Sequence, residues 1–309
     1  MTKKKPVIIC VLGPTASGKS DTAFCVAKSI GGEIVSCDSM QIYKGMEILT
    51  QAPDKEMLSR IPHHLVGIVP PSEEFSAARF SALAEKAIEG IISRSKVPVL
   101  SGGTGLYAKV LIEGIFSSPN KDIALRENLE KEAAAKGNMH VYNKLKKIDP
   151  EAALRIDPKN IRRVIRALEV FELTGKKFSE KISETKGIGE KYEAKLFALD
   201  VPRNVLVERI NARVEKMFNS GVVDEVKCLI KGDVGITASK ALGIEEIKQF
   251  IAGKIGIEET KEKIKIKTRQ YAKRQMTWLR AVKNICWISG ERPAREIALD
   301  IARLSGFSS

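Results

Sequence analysis

Cysteine, histidine and aromatic residues are all scarce in this chain. Its 309 residues include five cysteines and three histidines, and Phe, Trp and Tyr together make up 6%. The cysteines are scattered and form no C-x-x-C pair, which argues against a zinc site or a disulfide framework and is typical of a reducing cytosol. His63 and His64 are adjacent, so their side chains diverge. Without a third ligand nearby, we interpret them as structural or substrate-lining residues.

Long hydrophobic runs are also missing. No stretch resembles a transmembrane span, and we expect no membrane association. Basic residues at positions 3–5 precede an apolar segment, but this segment leads directly into a glycine-rich loop. We therefore interpret it as the first core strand and not as a signal peptide, and we expect a cytoplasmic protein.

Acidic residues are fewer than basic ones, and the formal net charge is +14. The positive excess is concentrated in two segments, residues 155–166 and residues 261–283. The second contains nine basic residues and a single acidic one, Glu262. A solvated helix face would explain either segment alone. Because both segments agree with the overall sign, the charge favours a polyanionic partner such as a nucleic acid.

The most informative segment that is present spans residues 13–20 and reads GPTASGKS. It matches the phosphate-loop pattern G-x-x-x-x-G-K-[ST] at every fixed position. An apolar, β-branched run precedes it at 6–12, and helical periodicity follows at 21–28. In this context the loop amides and the helix N-terminus point at a bound anion. Lys19 adds a positive charge, and the Ser20 hydroxyl can ligate Mg²⁺. The sequence therefore predicts a polyphosphate site.

Alternating strands and helices predict an α/β fold with a parallel sheet flanked by helices. Apolar segments at 6–12, 33–37 and 97–100 each end in a polar or glycine-rich turn, with helical patterns between them. Ligands of such sheets bind at the carboxyl ends of the strands. We therefore expect the phosphate loop, residues 38–39 and residues 102–104 to converge on one cleft.

The middle of the chain predicts an all-helical insertion domain. Residues 123–184 are charged, alanine-rich and helical in periodicity, and a strand pattern returns at 194–201. We expect a core domain of residues 1–119 and 194–309 and an insertion of residues 120–193. Asp149-Pro150 and Asp157-Pro158 each predict the start of a helix within the insertion.

Several residues have a functional and a structural interpretation that position alone does not separate. Asp38 is placed either to polarise an incoming nucleophile or to cap the following turn. Thr104 is suited either to bind substrate or to stabilise a turn. Arg209 and Arg213, four residues apart, either reach a pyrophosphate from one helix face or form exposed pairs with acidic neighbours. The aromatic residues near the basic C-terminal run either stack on unpaired bases or pack in the core. They are Tyr271, Trp278 and Trp287.

Further motifs follow the phosphate loop in order. They are DSMQIYKGM at 38–46, PHHL at 62–65, FSAARF at 75–80, GGTGLY at 102–107, RRVIRALE at 162–169 and YAKRQMTWLR at 271–280. Together they resemble the tRNA dimethylallyltransferases, also called IPP transferases, over nearly the whole chain. The resemblance implies a P-loop NTPase-like core. It also implies transfer of a dimethylallyl group from its diphosphate to the N6 amine of the adenosine on the 3′ side of the anticodon.

The resemblance also implies roles for individual residues. Asp38 is the general base, and Thr104 forms a hydrogen bond at the same site. The implied diphosphate ligands are Gly13, Thr15, Ala16, Ser17, Gly18, Lys19, Ser20 and Arg213, with Ser20 also holding the expected cofactor Mg²⁺. The implied tRNA contacts are Asp38, Ser39, Met40, Gln41, Thr104, Arg126, Arg162, Arg163, Val164, Ile165 and Arg166. The expected partners are the tRNA anticodon stem-loop and dimethylallyl diphosphate, and the protein is expected to be a monomer.

The chain departs from the usual family pattern outside the catalytic set. The departures are Leu49, Gln51, Gly67, Arg79 and Ile244. They put the geometry of the substrate loops in question.

Three other functions compete with the family interpretation. A small-molecule phosphotransferase would explain the phosphate loop but not the basic C-terminal region. An adenylate isopentenyltransferase would use a free nucleotide as acceptor, which the arginine-rich insertion disfavours. An RNA-binding protein with a degenerate loop is disfavoured by intact Lys19, Ser20, Asp38 and Thr104.

Overall fold

The apolar segment before the phosphate loop forms a central strand of a parallel sheet. The computed structural model describes residues 5–116 and 122–307, and within these ranges the sheet has six strands. They are β1 (Val7–Leu12), β2 (Glu33–Ser36), β3 (His63–His64), β4 (Pro98–Gly102), β5 (Glu193–Asp200) and β6 (Ile285–Ser289). The order is β3-β2-β4-β1-β5-β6, and every pairing is parallel. The predicted α/β class is confirmed.

Helices connect and flank the strands. In chain order they are α1 (Lys19–Ile30), α2 (Glu47–Thr50), α3 (Lys55–Arg60), α4 (Ala77–Ser93), α5 (Gly105–Glu113), α6 (Ile123–Lys136), α7 (Asn138–Ile148), α8 (Pro150–Arg155), α9 (Ile161–Thr174), α10 (Phe178–Ser183), α11 (Arg203–Asn219), α12 (Val222–Leu229), α13 (Ile244–Ile251), α14 (Ile257–Arg280) and α15 (Ala294–Leu304). Within the described ranges, none of them has a stretch both long and apolar enough to cross a membrane.

The sheet is buried on both faces, which explains the continuous apolar character of β1. Side chains of Ile8, Cys10 and Leu12 belong to one hydrophobic core, whereas those of Ile9 and Val11 belong to another. Helices α1 and α15 contribute to the second core, and α4, α11, α12, α13 and α14 contribute to the first. Because β2, β4 and β1 are neighbours, their carboxyl ends form one continuous edge.

The chain divides into two compact units. A sheet unit comprises Met1–Ile112 and Ile188–Ser309, and a helical unit comprises Glu113–Gly187. The sequence prediction instead set the insertion at residues 120–193. The C-terminal limit differs because Ile188 is buried in the core of the sheet unit, where Lys191 also pairs with Glu85.

The helical unit has its own hydrophobic core, built from one face of each of its longer helices. Asp149 caps α8 as predicted, since its Oδ1 accepts a hydrogen bond from the Ala152 amide. The predicted helix start at Asp157 is wrong. Asp157 Oδ1 instead accepts a hydrogen bond from the Lys159 amide in a turn, and Asn160 caps α9 through the Arg163 amide.

The two adjacent histidines form the short edge strand β3, which the sequence did not predict. His63 Nδ1 lies 2.8 Å from the Ile61 carbonyl, and His64 Nε2 lies 2.8 Å from Glu33 Oε2. Burial lowers the pKa of His63. These contacts support the structural interpretation of this pair.

Candidate active site

The phosphate loop curls between the end of β1 and the start of α1. Ala16 and Gly18 both have left-handed backbone, with φ of 64° and 88°. A Cβ at Gly13 would lie 2.4 Å from Ser17 Oγ, so a larger residue there would displace the Ser17 side chain. Gly18 provides no side-chain cap for α1. The Thr15 amide donates to Gln275 Oε1 and the Ser17 amide to the Pro14 carbonyl, so the other loop amides and the first N–H groups of α1 are those suited to phosphate oxygens.

Two cations lie at this loop. Lys19 Nζ donates a hydrogen bond to the Pro14 carbonyl at 3.2 Å, and Arg213 Nη1 donates one to Thr15 Oγ1 at 2.6 Å. Burial lowers the pKa of Lys19 to about 8 and that of Arg213 to about 10, while Asp38 opposes both shifts. The charge of Arg213 further lowers the pKa of Lys19. A multivalent anion would relieve this crowding of positive charge.

Arg209 and Arg213, on α11, bind the phosphate loop instead of acidic neighbours. Arg209 donates hydrogen bonds to the carbonyls of Ser17 and Gly290, so it braces the backbone beneath the loop. Glu215 pairs with lysines of α14 and not with either arginine. The interpretation of Arg209 and Arg213 as exposed ion pairs is therefore wrong.

Asp38 follows β2, and its two carboxylate oxygens fit both interpretations of this residue, as a cap of the following turn and as a group that polarises a nucleophile. Its Oδ1 accepts hydrogen bonds from the amides of Met40 at 2.9 Å and Gln41 at 3.4 Å, so it caps the following turn. Its Oδ2 has no hydrogen-bond partner among the residues that the structure describes. One oxygen thus fixes the carboxylate, and the other remains able to accept a proton.

Thr104 connects the loop after β4 to the loop after β2. Its Oγ1 accepts a hydrogen bond from the Ser39 amide at 3.1 Å and lies 3.4 Å from Ser39 Oγ. Close packing supports this connection, because a Cβ at Gly102 would lie 2.1 Å from the Cys37 carbonyl oxygen. The three loops therefore converge as the sequence predicted.

Helix α14 adds polar side chains that sequence reasoning did not assign to the site. Gln275 is buried, and its amide group contacts both the phosphate loop and the loop after β4. Tyr271 lies one turn earlier, where burial and the charge of Asp38 raise its pKa to about 12. Trp278 packs on Gly105, where a Cβ would lie 2.3 Å from the indole ring. The available signal was the helical spacing of four between Tyr271 and Gln275.

Hydrogen bonds hold the loop after Asp38. Gln41 accepts a hydrogen bond from Ser36 Oγ and donates one to the Gln51 carbonyl, both at 3.0 Å. Glu225 accepts hydrogen bonds from the amides of Ile48 and Leu49, both at 2.7 Å. Burial raises the pKa of Glu225. The loop is thus fixed through its backbone and through the side chains of Gln41 and Glu225.

The departures from the family pattern fall mostly on structural positions. Leu49 and Ile244 are buried in the main core, and Arg79 pairs with Glu73. Gly67 has a φ of 57°, and its amide donates to the Gln41 carbonyl. Gln51 Nε2 donates to the Ile48 carbonyl at 2.7 Å. Each departure is therefore accommodated by local packing or by a local hydrogen bond.

The predicted tRNA contacts on α9 divide by their position on the helix. Arg162 and Arg163 are exposed, whereas Val164 and Ile165 are only 0% and 3% exposed in the core of the helical unit. The side chains of Val164 and Ile165 are therefore not available to RNA, and their assignment as contacts is corrected.

Arg126 and Arg166 are both engaged by one buried carboxylate. Glu169 accepts hydrogen bonds from Arg126 Nε at 2.7 Å, from Arg126 Nη2 at 2.6 Å and from Arg166 Nη1. The Asp122 amide donates a further hydrogen bond to it at 2.9 Å. Burial alone would raise the pKa of Glu169, but these hydrogen bonds lower it to about 2. Glu169 thus fixes both guanidinium groups on the helical unit.

The basic run of α14 is partly neutralised. Its first half forms ion pairs with acidic residues of the same unit: Lys261 and Lys265 with Glu215, Lys263 with Glu259, Lys267 with Glu246 and Arg269 with Glu262. Exposed basic residues without an ion pair among the described residues follow in the second half. They are Lys273, Arg274 and Arg280, and Lys283 follows just after the end of the helix. Only this second half offers unneutralised charge to a polyanion.

A metal ion would need a phosphate ligand to complete its site here. Within residues 5–116 and 122–307, no group of three His, Cys, Asp or Glu side chains could hold a metal. The Ser20 hydroxyl at the start of α1 is a hard oxygen donor of the kind that Mg²⁺ prefers, and phosphate oxygens would supply further ligands. The donor set fits Mg²⁺ that binds together with a diphosphate.

Comparisons with known proteins agree over nearly the whole chain. A family model described as IPP transferase matches residues 41–282, and one described as isopentenyl transferase matches residues 6–63. The tRNA dimethylallyltransferase of Alkaliphilus oremlandii is 45% identical over 286 residues, which cover 92% of this chain and 91% of that protein. That of Halothermothrix orenii is 44% identical over 285 residues, covering 91% and 87%.

Solved structures with the same architecture are also similar in sequence. The tRNA isopentenylpyrophosphate transferase of Bacillus halodurans superposes with a TM-score of 0.72 at 37% identity, covering 98% of this chain and 96% of that one. A eukaryotic dimethylallyltransferase acting on tRNA superposes with a TM-score of 0.78 at 29% identity, covering 98% and 80%.

Proposed function

Because this chain belongs to the IPP transferase family, we propose that it is a tRNA dimethylallyltransferase. It transfers the dimethylallyl group of dimethylallyl diphosphate to the N6 amine of the adenosine next to the 3′ side of the anticodon, and diphosphate leaves. The observation that carries the proposal is the arrangement of the sheet edge. The phosphate-binding loop follows β1, and Asp38, whose Oδ2 has no hydrogen-bond partner among the described residues, follows β2 at the same edge of the sheet, with only β4 between the two strands.

The phosphate loop binds the diphosphate of the donor. Loop amides and the N-terminus of α1 contact its oxygens, and Lys19 and Arg213 neutralise the charge that develops as the C–O bond breaks. Residues Gly13, Thr15, Ala16, Ser17, Gly18 and Ser20 complete the binding surface. The Ser20 hydroxyl would hold Mg²⁺ together with the diphosphate, and the ion would add positive charge near the leaving group.

The acceptor adenine occupies the space beside Asp38 and Thr104. Its N6 nitrogen attacks the allylic carbon, a C–N bond forms as the C–O bond breaks, and the amine proton passes to Asp38 Oδ2. The hydrogen bonds from Met40 and Gln41 to Oδ1 hold the carboxylate in a fixed orientation. Thr104, Ser39, Met40 and Gln41 form the wall against an unstacked base.

The anticodon stem-loop binds through basic side chains. Arg162 and Arg163 are exposed on α9, and Arg126 and Arg166 are held by Glu169. The unpaired basic residues of α14 supply further phosphate contacts, since backbone contacts dominate affinity for nucleic acids. We also propose that the protein acts as a monomer in the cytoplasm, which size-exclusion chromatography with light scattering would test.

The test is a transfer assay with radiolabelled dimethylallyl diphosphate and Mg²⁺. Unmodified tRNA, AMP and no acceptor are compared for the wild-type protein and for Lys19→Ala. Label that enters tRNA alone and is lost in Lys19→Ala supports the proposal. Label that enters AMP would indicate an adenylate isopentenyltransferase, an alternative kept open by the isopentenyl transferase model over residues 6–63. Absence of label in both acceptors would contradict prenyl transfer.

A further inference from the structure

One buried amide group joins two loops of the site. Gln275 is 5% exposed, and its Oε1 accepts a hydrogen bond from the Thr15 amide at 2.8 Å. Its Nε2 donates one to the Gly103 carbonyl at 3.0 Å. Thr15 belongs to the phosphate loop, and Gly103 directly precedes Thr104. A single side chain on α14 therefore spans the phosphate side and the acceptor side of the sheet edge.

The contact requires both halves of the amide. Oε1 acts only as an acceptor and Nε2 only as a donor, so each matches its backbone partner. Close approach is also needed, because a Cβ at Gly103 would lie 2.3 Å from Gln275 Nε2 and 2.9 Å from the Gly13 carbonyl oxygen. Without Gln275 Oε1, the buried Thr15 amide would have no acceptor, and the folded protein would lose stability.

Thr15 is fixed from two directions. Gln275 holds its backbone from α14, and Arg213 holds its hydroxyl from α11. On the other loop, Thr104 binds the Ser39 amide next to Asp38. A continuous path of hydrogen bonds and peptide links thus runs from Arg213 through Thr15, Gln275 and Gly103 to Thr104.

We propose that Gln275 is a positioning residue that fixes the distance between the diphosphate loop and the Thr104 loop. The inference rests on the proposed function, because it assigns the two loops to donor and acceptor. Gln275 touches neither reacting group. It acts by keeping the two loops at a fixed separation, so that the allylic carbon and the attacking nitrogen meet in a productive geometry.

Two substitutions separate this role from a general packing role. Gln275→Met has nearly the same size but lacks both polar atoms. Gln275→Glu retains an acceptor for the Thr15 amide but, when ionised, cannot donate to the Gly103 carbonyl. Protonation of the introduced carboxyl restores a donor and therefore both hydrogen bonds. Lowering the pH should therefore restore both hydrogen bonds in the Gln275→Glu variant.

The experiment measures transfer kinetics and binding of inorganic diphosphate for wild type and both variants from pH 6 to pH 8. We expect Gln275→Met to lower kcat and to weaken diphosphate binding by about tenfold each, from the loss of buried hydrogen bonds. Binding of tRNA should change less than about twofold, because no phosphate contact is removed. Relative to wild type, Gln275→Glu should regain activity and diphosphate affinity as the pH falls.

Gln270 provides the matched control, since it is an exposed glutamine on the same helix. Gln270→Met and Gln270→Glu should behave as wild type at every pH. A Gln275→Met variant with unchanged kcat and diphosphate affinity would overturn the inference. If wild type transfers no label to tRNA, the proposed function fails, but the diphosphate measurements still decide whether Gln275 shapes the loop.

Discussion

The guanidinium of Arg213 donates a hydrogen bond to the hydroxyl of Thr15, with 2.6 Å between Nη1 and Oγ1. Thr15 is buried in the phosphate loop, and Arg213 extends from α11. With a pKa lowered to about 10 by burial, Arg213 remains charged at neutral pH. A diphosphate would therefore meet a cation whose position is set before binding, and such preorganisation favours affinity.

Replacing Arg213 should weaken binding of the donor more than binding of tRNA. Arg213→Gln removes the charge and the fixed fork geometry, and we expect KM for dimethylallyl diphosphate to rise about tenfold to a hundredfold. Steady-state kinetics with varied donor concentration measure this change. Arg203→Gln, at the exposed start of the same helix, is the matched control and should have little effect. Equal loss in both variants would argue against a specific role for Arg213.

Lys19 should take up a proton when diphosphate binds near pH 8. Burial lowers the pKa of Lys19 to about 8. Below pH 8 the amine is protonated in both the folded and the unfolded protein, and burial of its charge destabilises the folded state. This cost disappears as the pH rises from about 8 toward the ordinary value of 10.5. A bound anion reverses the shift, and protonation accompanies binding.

Calorimetry in buffers of different ionisation enthalpy measures this proton uptake. The comparison uses inorganic diphosphate with wild type and with Lys19→Met, whose side chain is similar in length and does not titrate. The difference between the two proteins should be a net uptake near pH 8 that vanishes at pH 6. An identical proton balance in both proteins would show that the Lys19 amine does not titrate in this range.

Asp38→Asn should abolish transfer while leaving the local fold intact. The asparagine oxygen can still accept the hydrogen bonds that Met40 and Gln41 donate to Oδ1, but the amide is no general base. We expect kcat to fall by about a hundredfold or more, with tRNA affinity nearly unchanged. Single-turnover transfer and filter binding of tRNA measure the two quantities. Parallel loss of both would indicate that Asp38 mainly shapes the tRNA site.

Much of this site could be predicted because its signals are local or follow from strand topology. The phosphate loop is one continuous segment, and the family and enzyme class that its companion motifs indicated are confirmed by the family model and the relatives. Asp38 and Thr104 could be brought together because parallel strands end at one edge. The roles of individual site residues stay predictions.

Other features were hidden because they depend on tertiary contacts or very short elements. Gln275 lies 260 residues from Thr15 in the chain, and no local pattern joins them. Strand β3 has only two residues, too few for a periodic signal. The burial of Val164 and Ile165 could be predicted from the sequence, because they lie on the apolar side of α9, away from Arg162 and Arg163. The family motif alone does not contain this information, because it is read as a linear segment without helical periodicity.

Glu169→Gln should destabilise the helical unit in a pH-dependent way. Because the pKa of Glu169 is lowered from 4.5 to about 2, its stabilising effect is full above pH 4.5 and is lost as the pH falls toward 2. At pH 7 we expect the variant to lose about 3 kcal/mol of unfolding free energy, since two arginines lose their partner. The difference should shrink below pH 4.5, as followed by urea unfolding. Glu172→Gln, exposed on the same helix, should show no such dependence.

Arg163→Ala should weaken tRNA binding through the loss of one phosphate contact. Arg163 is exposed on α9, and its side chain forms no ion pair among the described residues. We expect the slope of log K against log salt to decrease in magnitude by about 0.7 to 1, with little dependence on tRNA sequence. The measurement is a titration of unmodified tRNA at several salt concentrations. Arg155→Ala serves as the control, because Arg155 already pairs with Glu151 at 2.7 Å. A salt slope that Arg163→Ala leaves unchanged would remove this residue from the RNA-binding surface, and the remaining charge would have to come from Arg162 and α14.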